Sequence, residues 1–249
     1  MRLTLILPTY NEAENLPRLV SALFALPLDI RLLVVDDNSP DGTGRVAEQL
    51  KAQHPDRLDV LHRKAKEGLG PAYIAGFRHV LATQTDAEAI GQMDVDFSHP
   101  PEALPRMAAL LEADTADIVI GSRYVPGGSV DREWPLYRKA LSAFGNFYAR
   151  NILRVPLRDI TGGYRLWKHA ALAALPLEQI HARGYLFQVE MAYMAYRLGF
   201  RFAEVPIYFQ ERTWGTSKMS FRIQLEAAIG VWLLRWRHRR LSPKAQKRL

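Results

Sequence analysis

The regular alternation of strand-like and helix-like patterns is the feature that most constrains this chain of 249 residues. Short apolar runs predict strands at residues 2–8, 30–35, 58–62, 88–93 and 117–121. Helical spacing between those runs predicts helices at residues 13–25, 43–53, 70–82 and 102–113. Such alternation is typical of a mostly parallel sheet covered by helices. The chain is therefore predicted to be an α/β protein.

The pattern changes after Arg123. Two glycines between two prolines predict a loop over residues 124–135. Helices are then predicted at 136–153, 186–198 and about 220–240, with a strand at 201–208 and a polar loop at 210–218. We expect a main domain at residues 1–219, followed by an amphipathic helix and a basic tail at 220–249.

Composition excludes several chemistries. The chain has no cysteine, which excludes disulfides, thiolate zinc sites and a cysteine nucleophile. The apolar stretch at the start is too short for a signal peptide, so the cytosol is the expected compartment. Lys and Arg total 33 against 26 Asp and Glu, and seven of the basic residues follow Glu226, where no acidic residue remains. The rest of the chain is therefore neutral, which disfavours a nucleic-acid binder and favours one local anionic partner.

The predicted last helix has an apolar face formed by Leu225, Ile229, Trp232, Leu233 and Trp236. Its apolar centre is far shorter than the roughly 18–20 residues that a membrane span needs. An amphipathic helix with tryptophans and a cationic tail suits an anionic membrane surface. A core helix with a solvated tail is the alternative.

A second apolar stripe lies on the predicted helix 136–153, at Phe144, Phe147 and Tyr148. We interpret it as a core contact rather than a lipid contact.

Two aspartates end the fourth predicted strand. Asp94 and Asp96 follow the apolar residues of that strand, and Pro100-Pro101 prevents its continuation. Carboxylates so close repel each other unless a cation lies between them, and a divalent ion meets that need. One solvated Asp and one turn-forming Asp would also explain the pattern.

Acidic residues also follow the second strand, at Asp36-Asp37. A dinucleotide-binding fold would need a glycine-rich turn after the first strand, but that turn here is Pro8-Thr9-Tyr10-Asn11-Glu12. NAD and FAD are therefore disfavoured, and a bound diphosphate would need metal and basic side chains.

Six segments together resemble family 2 glycosyltransferases, and within them the dolichyl- or polyprenyl-phosphate mannosyltransferases without membrane-spanning helices. The segments are PTYNE (8–12), VVDDNSPDGT (34–43), QMDVDFSHPPE (92–102), GSRY (121–124), DITGGYR (159–165) and RTWGTSK (212–218). The resemblance implies a GT-A fold, Mg²⁺ or Mn²⁺, and a nucleotide-sugar donor, with GDP-mannose favoured. It also implies inverting transfer to a dolichyl or polyprenyl phosphate at the cytoplasmic face of a membrane.

The resemblance also implies roles for individual residues. The nucleoside would be held by Pro8, Tyr10, Glu12, Val35 and Asp37. The metal and the donor phosphates would be held by Asp94, the Val95 backbone and Asp96, with Ser98 as a further metal neighbour. The diphosphate or the acceptor phosphate would be contacted by Arg123, Arg212 and Lys218. Loop 124–135 would be a mobile acceptor element.

This chemistry is physically consistent. Arginine offers a planar fork for phosphate oxygens, and a phosphate acceptor is already anionic near neutral pH. Positioning and electrostatics could then replace a strong general base, and one in-line attack would invert the anomeric carbon.

Several site residues have simpler interpretations. Asp36 and Asp41 could only shape the turn, Glu12 could cap the first helix, Arg123 and Arg212 could form surface ion pairs, and His99 is more readily structural.

Other functions also stay open. They are transfer from another nucleotide sugar such as UDP-glucose or to a saccharide, a non-catalytic nucleotide-binding or membrane-recruiting subunit, and RNA binding, which the neutral body disfavours.

Overall fold

The computed structural model describes residues 1–182, 184–211 and 221–243, with the backbone alone at Tyr185 and residues 221–227. Its strands are β1 (Arg2–Thr9), β2 (Asp29–Asp36), β3 (Leu58–His62), β4 (Ala89–Gln92), β5 (Ile118–Ser122), β6 (Ser129–Val130), β7 (Arg165–Lys168), β8 (Phe202–Pro206) and β9 (Tyr208–Phe209). Its helices are α1 (Asn15–Phe24), α2 (Thr43–Gln53), α3 (Leu69–Thr83), α4 (Leu104–Glu112), α5 (Leu136–Leu153), α6 (His169–Ala173), α7 (Tyr185–Arg197) and α8 (Phe221–Arg237). The predicted α/β class is confirmed.

Seven strands form the central sheet, in the order β3-β2-β1-β4-β7-β5-β8. Neighbouring strands are parallel except around β7, which runs antiparallel to both β4 and β5. The sequence analysis missed β7 and α6. β7 has four residues, Arg-Leu-Trp-Lys, and so short a run with charge at both ends gives no clear period.

The sheet is buried on both faces, as its near-continuous apolar strands require. Along β1, Leu5 and Leu7 pack into one core and Ile6 into the other, because successive side chains point to opposite faces. Helices α1, α2 and α4 contribute to the first core, and α3 and α7 to the second. Because the strands are packed on both faces, their ends are held in place, and the predicted site residues lie at or just after those ends.

The carboxyl ends of β2, β1, β4 and β5 lie at one edge of the sheet, since these strands all run in the same direction. Antiparallel β7 begins at that edge, with Arg165 in register with both Gln92 and Ile120. Open α/β sheets bind their ligands at this edge.

Helices α5 and α8 pack side by side and leave large apolar side chains in solvent. The predicted core role of the α5 stripe is wrong for Phe144 and Phe147, which are 60% and 58% exposed. On α8, Val231 and Leu234 are buried, while solvent-exposed apolar side chains are found at Ile229, Trp232, Leu233 and Trp236. In the part of the chain that the structure describes, no helix is long and apolar enough to cross a membrane.

His238, the residue that follows α8, connects that helix to α7. His238 is buried, and its Nε2 lies 2.7 Å from Oε1 of the fully buried Glu190 on α7. The other carboxylate oxygen of Glu190 accepts hydrogen bonds from the backbone N–H groups of His181 and Ala182. Burial raises the pKa of Glu190, but the hydrogen bond to His238 and the two amide donors leave that pKa below its usual value.

Candidate active site

The ends of β1 and β2 bring together four of the predicted nucleoside residues. Pro8 is in register with Val35, and the Asp37 amide donates to the Thr9 carbonyl at 3.1 Å. Tyr10 follows β1 directly and is 36% exposed. These neighbours are far apart in sequence, and the parallel pairing of β1 with β2 places them together.

Asp36 and Asp41, which lie on either side of Asp37 in the sequence, shape the turn after β2, in agreement with the simpler interpretation. Asp36 accepts from the hydroxyl of Thr9 at 3.1 Å and from the hydroxyl of Ser39 at 2.6 Å. Asp41 accepts from both the amide and the hydroxyl of Thr43, at 3.0 and 2.6 Å. Their carboxylates are thus engaged within the turn.

Two basic residues beyond β3 join this region, and the sequence analysis missed both. Arg63 Nη1 donates to Asp37 Oδ1 in a largely buried ion pair, and Lys66 Nζ lies 3.7 Å from the centroid of the Tyr10 ring. Burial, together with the neighbouring Asp36 carboxylate, raises the pKa of Asp37 above its usual value despite the opposing effect of Arg63. The run Arg63-Lys64-Ala65-Lys66 after a predicted strand was the signal available for this pair.

Glu12 does not cap α1, which was the alternative to its predicted role in holding the nucleoside. Glu14 takes the N-cap position of α1, and the Glu12 carboxylate accepts a hydrogen bond from the Asn15 side-chain amide at 2.8 Å. The Glu12 backbone amide donates to the hydroxyl of Thr43 at 2.9 Å. This contact ties the segment after β1 to the start of α2.

The segment from Asp94 to Ser98 is a turn that follows the end of β4. The Asp94 amide donates to Nδ1 of His99 at 2.9 Å, and Asp96 Oδ1 accepts from the Ser98 amide at 3.0 Å. Phe97 has φ +61°, a left-handed conformation that reverses the chain. His99 stacks on Tyr164 with ring centroids 4.9 Å apart, which confirms its structural role.

The donor groups of this turn fit a hard divalent cation. Asp96 is 5% exposed, and the fully buried Ser98 hydroxyl has no hydrogen-bond partner among the described residues. Such an orphaned oxygen beside a carboxylate suits a cation or its bound water. Across residues 1–182, 184–211 and 221–243, no three His, Asp or Glu side chains cluster as a metal site. Substrate oxygens and water would therefore have to complete the coordination, as is usual for Mg²⁺.

The carboxylate of Asp94 is contacted by a tyrosine of α3. The hydroxyl of Tyr73, a fully buried residue of α3, lies 3.5 Å from Asp94 Oδ1. Burial, with the nearby Asp94 carboxylate, raises the pKa of Tyr73 well above its usual value. Tyr73 therefore stays protonated and can donate to Asp94. The sequence analysis missed it, because its partner lies on a different element.

Arg123 follows β5 and forms a buried ion pair with Asp159. Its Nε and Nη2 donate to the two carboxylate oxygens at 2.8 and 2.7 Å, and its backbone amide donates at 3.0 Å. Asp159 is fully buried and Arg123 is 10% exposed at its side chain. Burial raises the pKa of Asp159, but the charge and hydrogen bonds of Arg123 outweigh it and leave that pKa below its usual value. The predicted alternative of a surface ion pair is wrong in one respect, since this pair is internal.

A second buried arginine supports this pair from β7. Arg165 donates to the carbonyl oxygens of Ile160, Gly162 and Gln188, each at 2.8 Å. Burial lowers its pKa to about 9, so it remains charged at neutral pH. The hydrogen bonds of Arg165 therefore hold the segment 159–165 in place where it enters β7, the strand that lies between β4 and β5 in the sheet.

The middle of loop 124–135 pairs with a strand from the C-terminal half of the chain. Its residues Ser129 and Val130 form β6, which pairs with β9 in a separate two-stranded sheet. Asp131 accepts from the Glu211 amide at 2.8 Å. A Cβ on Gly128 would lie 2.5 Å from the Ser122 carbonyl oxygen, so this glycine permits a close approach of two backbones.

Two predicted phosphate ligands, Arg212 and Lys218, lie outside the described residues, as does most of the predicted loop 210–218. The basic residues Lys244, Lys247 and Arg248 of the tail also lie outside them.

The sheet, its ligand-binding edge and the aspartate turn define a sugar-nucleotide transferase. Residues 4–175 match the model of Glycosyl transferase family 2, and the chain belongs to that family.

Two curated relatives cover nearly the whole chain. It is 45% identical over 238 residues to the polyprenol monophosphomannose synthase of Mycolicibacterium smegmatis, covering 95% of this chain and 88% of that protein. It is 49% identical over 237 residues to the undecaprenyl-phosphate mannosyltransferase of Micrococcus luteus, covering 95% and 94%.

Solved structures confirm the predicted GT-A fold. A mannosyltransferase from Pyrobaculum calidifontis, in complex with GDP-Man and Mn²⁺, has a TM-score of 0.65 at 19% identity, and the similarity covers 97% of this chain and 66% of that one. Glucosyl-3-phosphoglycerate synthase from Mycobacterium tuberculosis, in complex with Mn²⁺, UDP and its product, has a TM-score of 0.64 at 16% identity, with coverage of 95% and 79%.

Proposed function

We propose that this protein transfers mannose from GDP-mannose to a polyprenyl phosphate, with inversion at the anomeric carbon. The observation that carries the proposal is the placement of the motif segments at the ends of β1, β2, β4 and β5 along one sheet edge. The two curated relatives, named as polyprenyl-phosphate mannose transferases, support the choice of sugar and acceptor.

The nucleoside binds at the ends of β1 and β2 in this proposal. Pro8, Tyr10 and Val35 supply apolar surface, and Asp37 and Glu12 supply carboxylate acceptors for base and ribose N–H and O–H groups. Support comes from the register of Pro8 with Val35 and from the exposure of Tyr10. Lys66, over the Tyr10 ring, adds positive charge beside the bound nucleotide.

The diphosphate binds at the aspartate turn after β4. Asp94 and Asp96 would hold Mg²⁺ or Mn²⁺, with Ser98 beside it and the Val95 backbone next to the phosphates. When bound, the ion neutralises the charge that develops on the diphosphate leaving group. The amide of Ser98 and the ring of His99 keep this turn in a single conformation, which lowers the cost of ordering it.

The acceptor phosphate attacks without a dedicated general base, because it is already ionised near neutral pH. Arg123, Arg212 and Lys218 balance its charge and that of the departing diphosphate. The Asp159 carboxylate holds the Arg123 guanidinium in a fixed plane, so that its position does not depend on the ligand. Loop 124–135, as a mobile acceptor element, closes over the donor.

The membrane supplies the acceptor, and we propose that the protein lies on its cytoplasmic face. Exposed Trp232 and Trp236 on α8, together with the basic tail after Glu226, would bind an anionic surface. The charge balance of the remaining chain supports a local contact of this kind and disfavours nucleic acid as a partner.

A panel of nucleotide sugars tests the proposal. The purified protein is incubated with polyprenyl phosphate, Mn²⁺ and one of GDP-mannose, GDP-glucose, UDP-glucose or UDP-N-acetylglucosamine, and the lipid product is quantified. We expect product with GDP-mannose and at least about tenfold less with the others, the discrimination that roughly 1.4 kcal/mol of donor contacts provides. Preference for a UDP-sugar, or transfer only to a saccharide, would replace the proposed substrates. No product with any donor would favour a non-catalytic role.

A further inference from the structure

A groove lined by three arginines lies beside the C-terminal end of α5. Arg150, Arg154 and Arg158 line a cavity of about 490 Å³ together with Val155, Leu157 and Tyr196. An adjoining cavity of about 350 Å³ shares Arg150 and Arg158. We call the larger cavity the arginine groove.

Among the described side chains, no carboxylate balances the positive charge of the arginine groove. Within the described segments, no ion pair engages the guanidinium groups of Arg150, Arg154 or Arg158. The Glu204 carboxylate accepts hydrogen bonds from the backbone amides of Arg158 and Asp159, at 2.8 and 2.9 Å. Three like charges around one concavity repel each other, and a bound anion removes that repulsion.

The lining of the groove also selects for an anion that carries apolar chains. The buried residues Val155 and Leu157 contribute to the lining, and the Arg150 guanidinium carbon lies 5.9 Å from the centroid of the exposed Phe147 ring. Guanidinium groups pair with the oxygens of an anion through two parallel donors, and a neutral ligand would leave their charge unbalanced. A phosphate ester beside aliphatic chains matches both features.

Phe147 connects the groove to the exposed apolar side chains of α5, because it lines the smaller cavity together with Arg150 and Arg158. The rings of Phe144 and Tyr148 lie with their centroids 5.9 Å apart at an interplanar angle of 31°, and the indole N–H of Trp232 donates to the Tyr148 hydroxyl at 3.1 Å. Aromatic side chains with a polar group at one end are favoured at the membrane interface. Apolar surface and unpaired arginines therefore share one side of the molecule.

We propose that the arginine groove binds the phosphate of an anionic membrane phospholipid, while Phe144, Phe147, Trp232 and Trp236 enter the interface beside it. This inference rests on the proposed membrane association, and it adds α5 to α8 as a helix that contacts the membrane. A bulk phospholipid is favoured over the polyprenyl phosphate acceptor, because none of the residues assigned to donor, metal or acceptor phosphate lines the larger cavity. The smaller cavity reaches Tyr124, next to Arg123, so the bound lipid would hold the acceptor side of the active site against the bilayer.

Vesicle flotation with matched double variants tests this assignment. Arg154→Gln/Arg158→Gln removes two charges from the groove, and Arg78→Gln/Arg106→Gln removes two from exposed positions on α3 and α4. Each basic residue near an anionic surface contributes about 1 kcal/mol, so the groove variant should bind phosphatidylglycerol-containing vesicles roughly 30-fold more weakly than the wild type. The control variant should bind within about threefold of the wild type. On pure phosphatidylcholine the variants should bind equally.

Several results would overturn the assignment. Equal losses in the two double variants would show that net charge, and not the groove, attracts the membrane. A loss by the groove variant on pure phosphatidylcholine as large as that on phosphatidylglycerol-containing vesicles would show that the groove does not select anionic lipid, because the phosphate of phosphatidylcholine is balanced by its choline group. A changed sedimentation coefficient of the groove variant would assign the groove to contacts between copies of the chain.

A vesicle-free assay separates the two possible lipid phosphates. With GDP-mannose and a short-chain, water-soluble polyprenyl phosphate, the groove variant should keep the wild-type KM for acceptor. A raised KM would assign the groove to the acceptor and overturn the phospholipid assignment. If the wild-type protein transfers no sugar in this assay, the proposed transferase function fails, while the flotation result still decides whether the groove binds phospholipid.

Discussion

The Arg123–Asp159 pair provides a sharp stability prediction. Asp159 is fully buried and accepts four hydrogen bonds, three of them from Arg123 and a long one of 3.4 Å from the Thr161 hydroxyl. In Asp159→Asn, one carboxylate oxygen becomes an NH₂ group that faces the donors of Arg123. The largely buried guanidinium then loses the counter-charge that Asp159 supplies. Breaking a buried pair in this way destabilises a protein by about 3–5 kcal/mol.

An exposed ion pair serves as the matched control. Asp86 pairs with Arg2 and Arg31 at 3.1 and 3.0 Å, and its side chain is 38% exposed. We expect Asp86→Asn to unfold at a denaturant midpoint close to that of the wild type, because solvent screens such pairs. The assay is chemical denaturation followed by tryptophan fluorescence, with unfolding free energies obtained by linear extrapolation. Equal midpoints for Asp159→Asn and Asp86→Asn would refute the reasoning.

The pH dependence of the Asp159 effect has a definite sign. The charge and hydrogen bonds of Arg123 hold the folded pKa of Asp159 below the usual value of an aspartate, so its ionised form stabilises the fold. The stability difference between wild type and Asp159→Asn should be fully present above the unfolded pKa. That stability difference should shrink as the pH falls through the lower pKa that Asp159 has in the folded protein. A difference that grows on acidification would contradict the assigned direction.

Three further predictions concern positions around the site. Gly128→Ala should lower stability by about 1–3 kcal/mol and reduce turnover, because its Cβ would lie 2.5 Å from the Ser122 carbonyl oxygen. Gly145→Ala on α5 is the control and should not destabilise, because no described atom from outside its own stretch of α5 lies within 4 Å of the added Cβ. Arg212→Ala should reduce kcat at saturating donor and Mn²⁺ by about 10²-fold or more, and wild-type kinetics would remove Arg212 from the site. Removal of residues 244–249 deletes three basic residues and spares His238, so it should weaken flotation with anionic vesicles while melting temperature is kept; unchanged flotation would argue against a role of the tail.

Periodicity and strand-end chemistry predicted most of the fold and part of the site. The bounds of α2, β3 and α5 agree with the prediction, because their apolar periods are clear and turn residues flank them. The approach of Pro8 to Val35 could also be predicted, since the ends of parallel neighbours meet at one edge of the sheet.

Other features depend on tertiary contacts that a local pattern does not encode. Strand β7 is short and antiparallel, and the partner of Asp159 lies 36 residues away in sequence. The exposure of Phe144 and Phe147 was predicted wrongly, because a helical apolar stripe does not indicate whether another element covers it. The roles of Arg63, Lys66 and Tyr73 likewise emerge only when different elements meet.

The central claim is that Asp94 and Asp96 organise one divalent ion against the donor diphosphate and contribute little to the fold. Calorimetric titration of GDP-mannose in the presence of Mn²⁺ tests it most directly, with Asp96→Asn compared with Asp29→Asn, an exposed aspartate at the start of β2 on the opposite edge. Asp96→Asn should bind donor at least about tenfold more weakly and lose the Mn²⁺ dependence, while its unfolding free energy changes by about 1 kcal/mol, the order of magnitude of the hydrogen bond that Asp96 accepts from the Ser98 amide. Asp29→Asn should bind like the wild type. Wild-type, Mn²⁺-dependent binding by Asp96→Asn would contradict the claim.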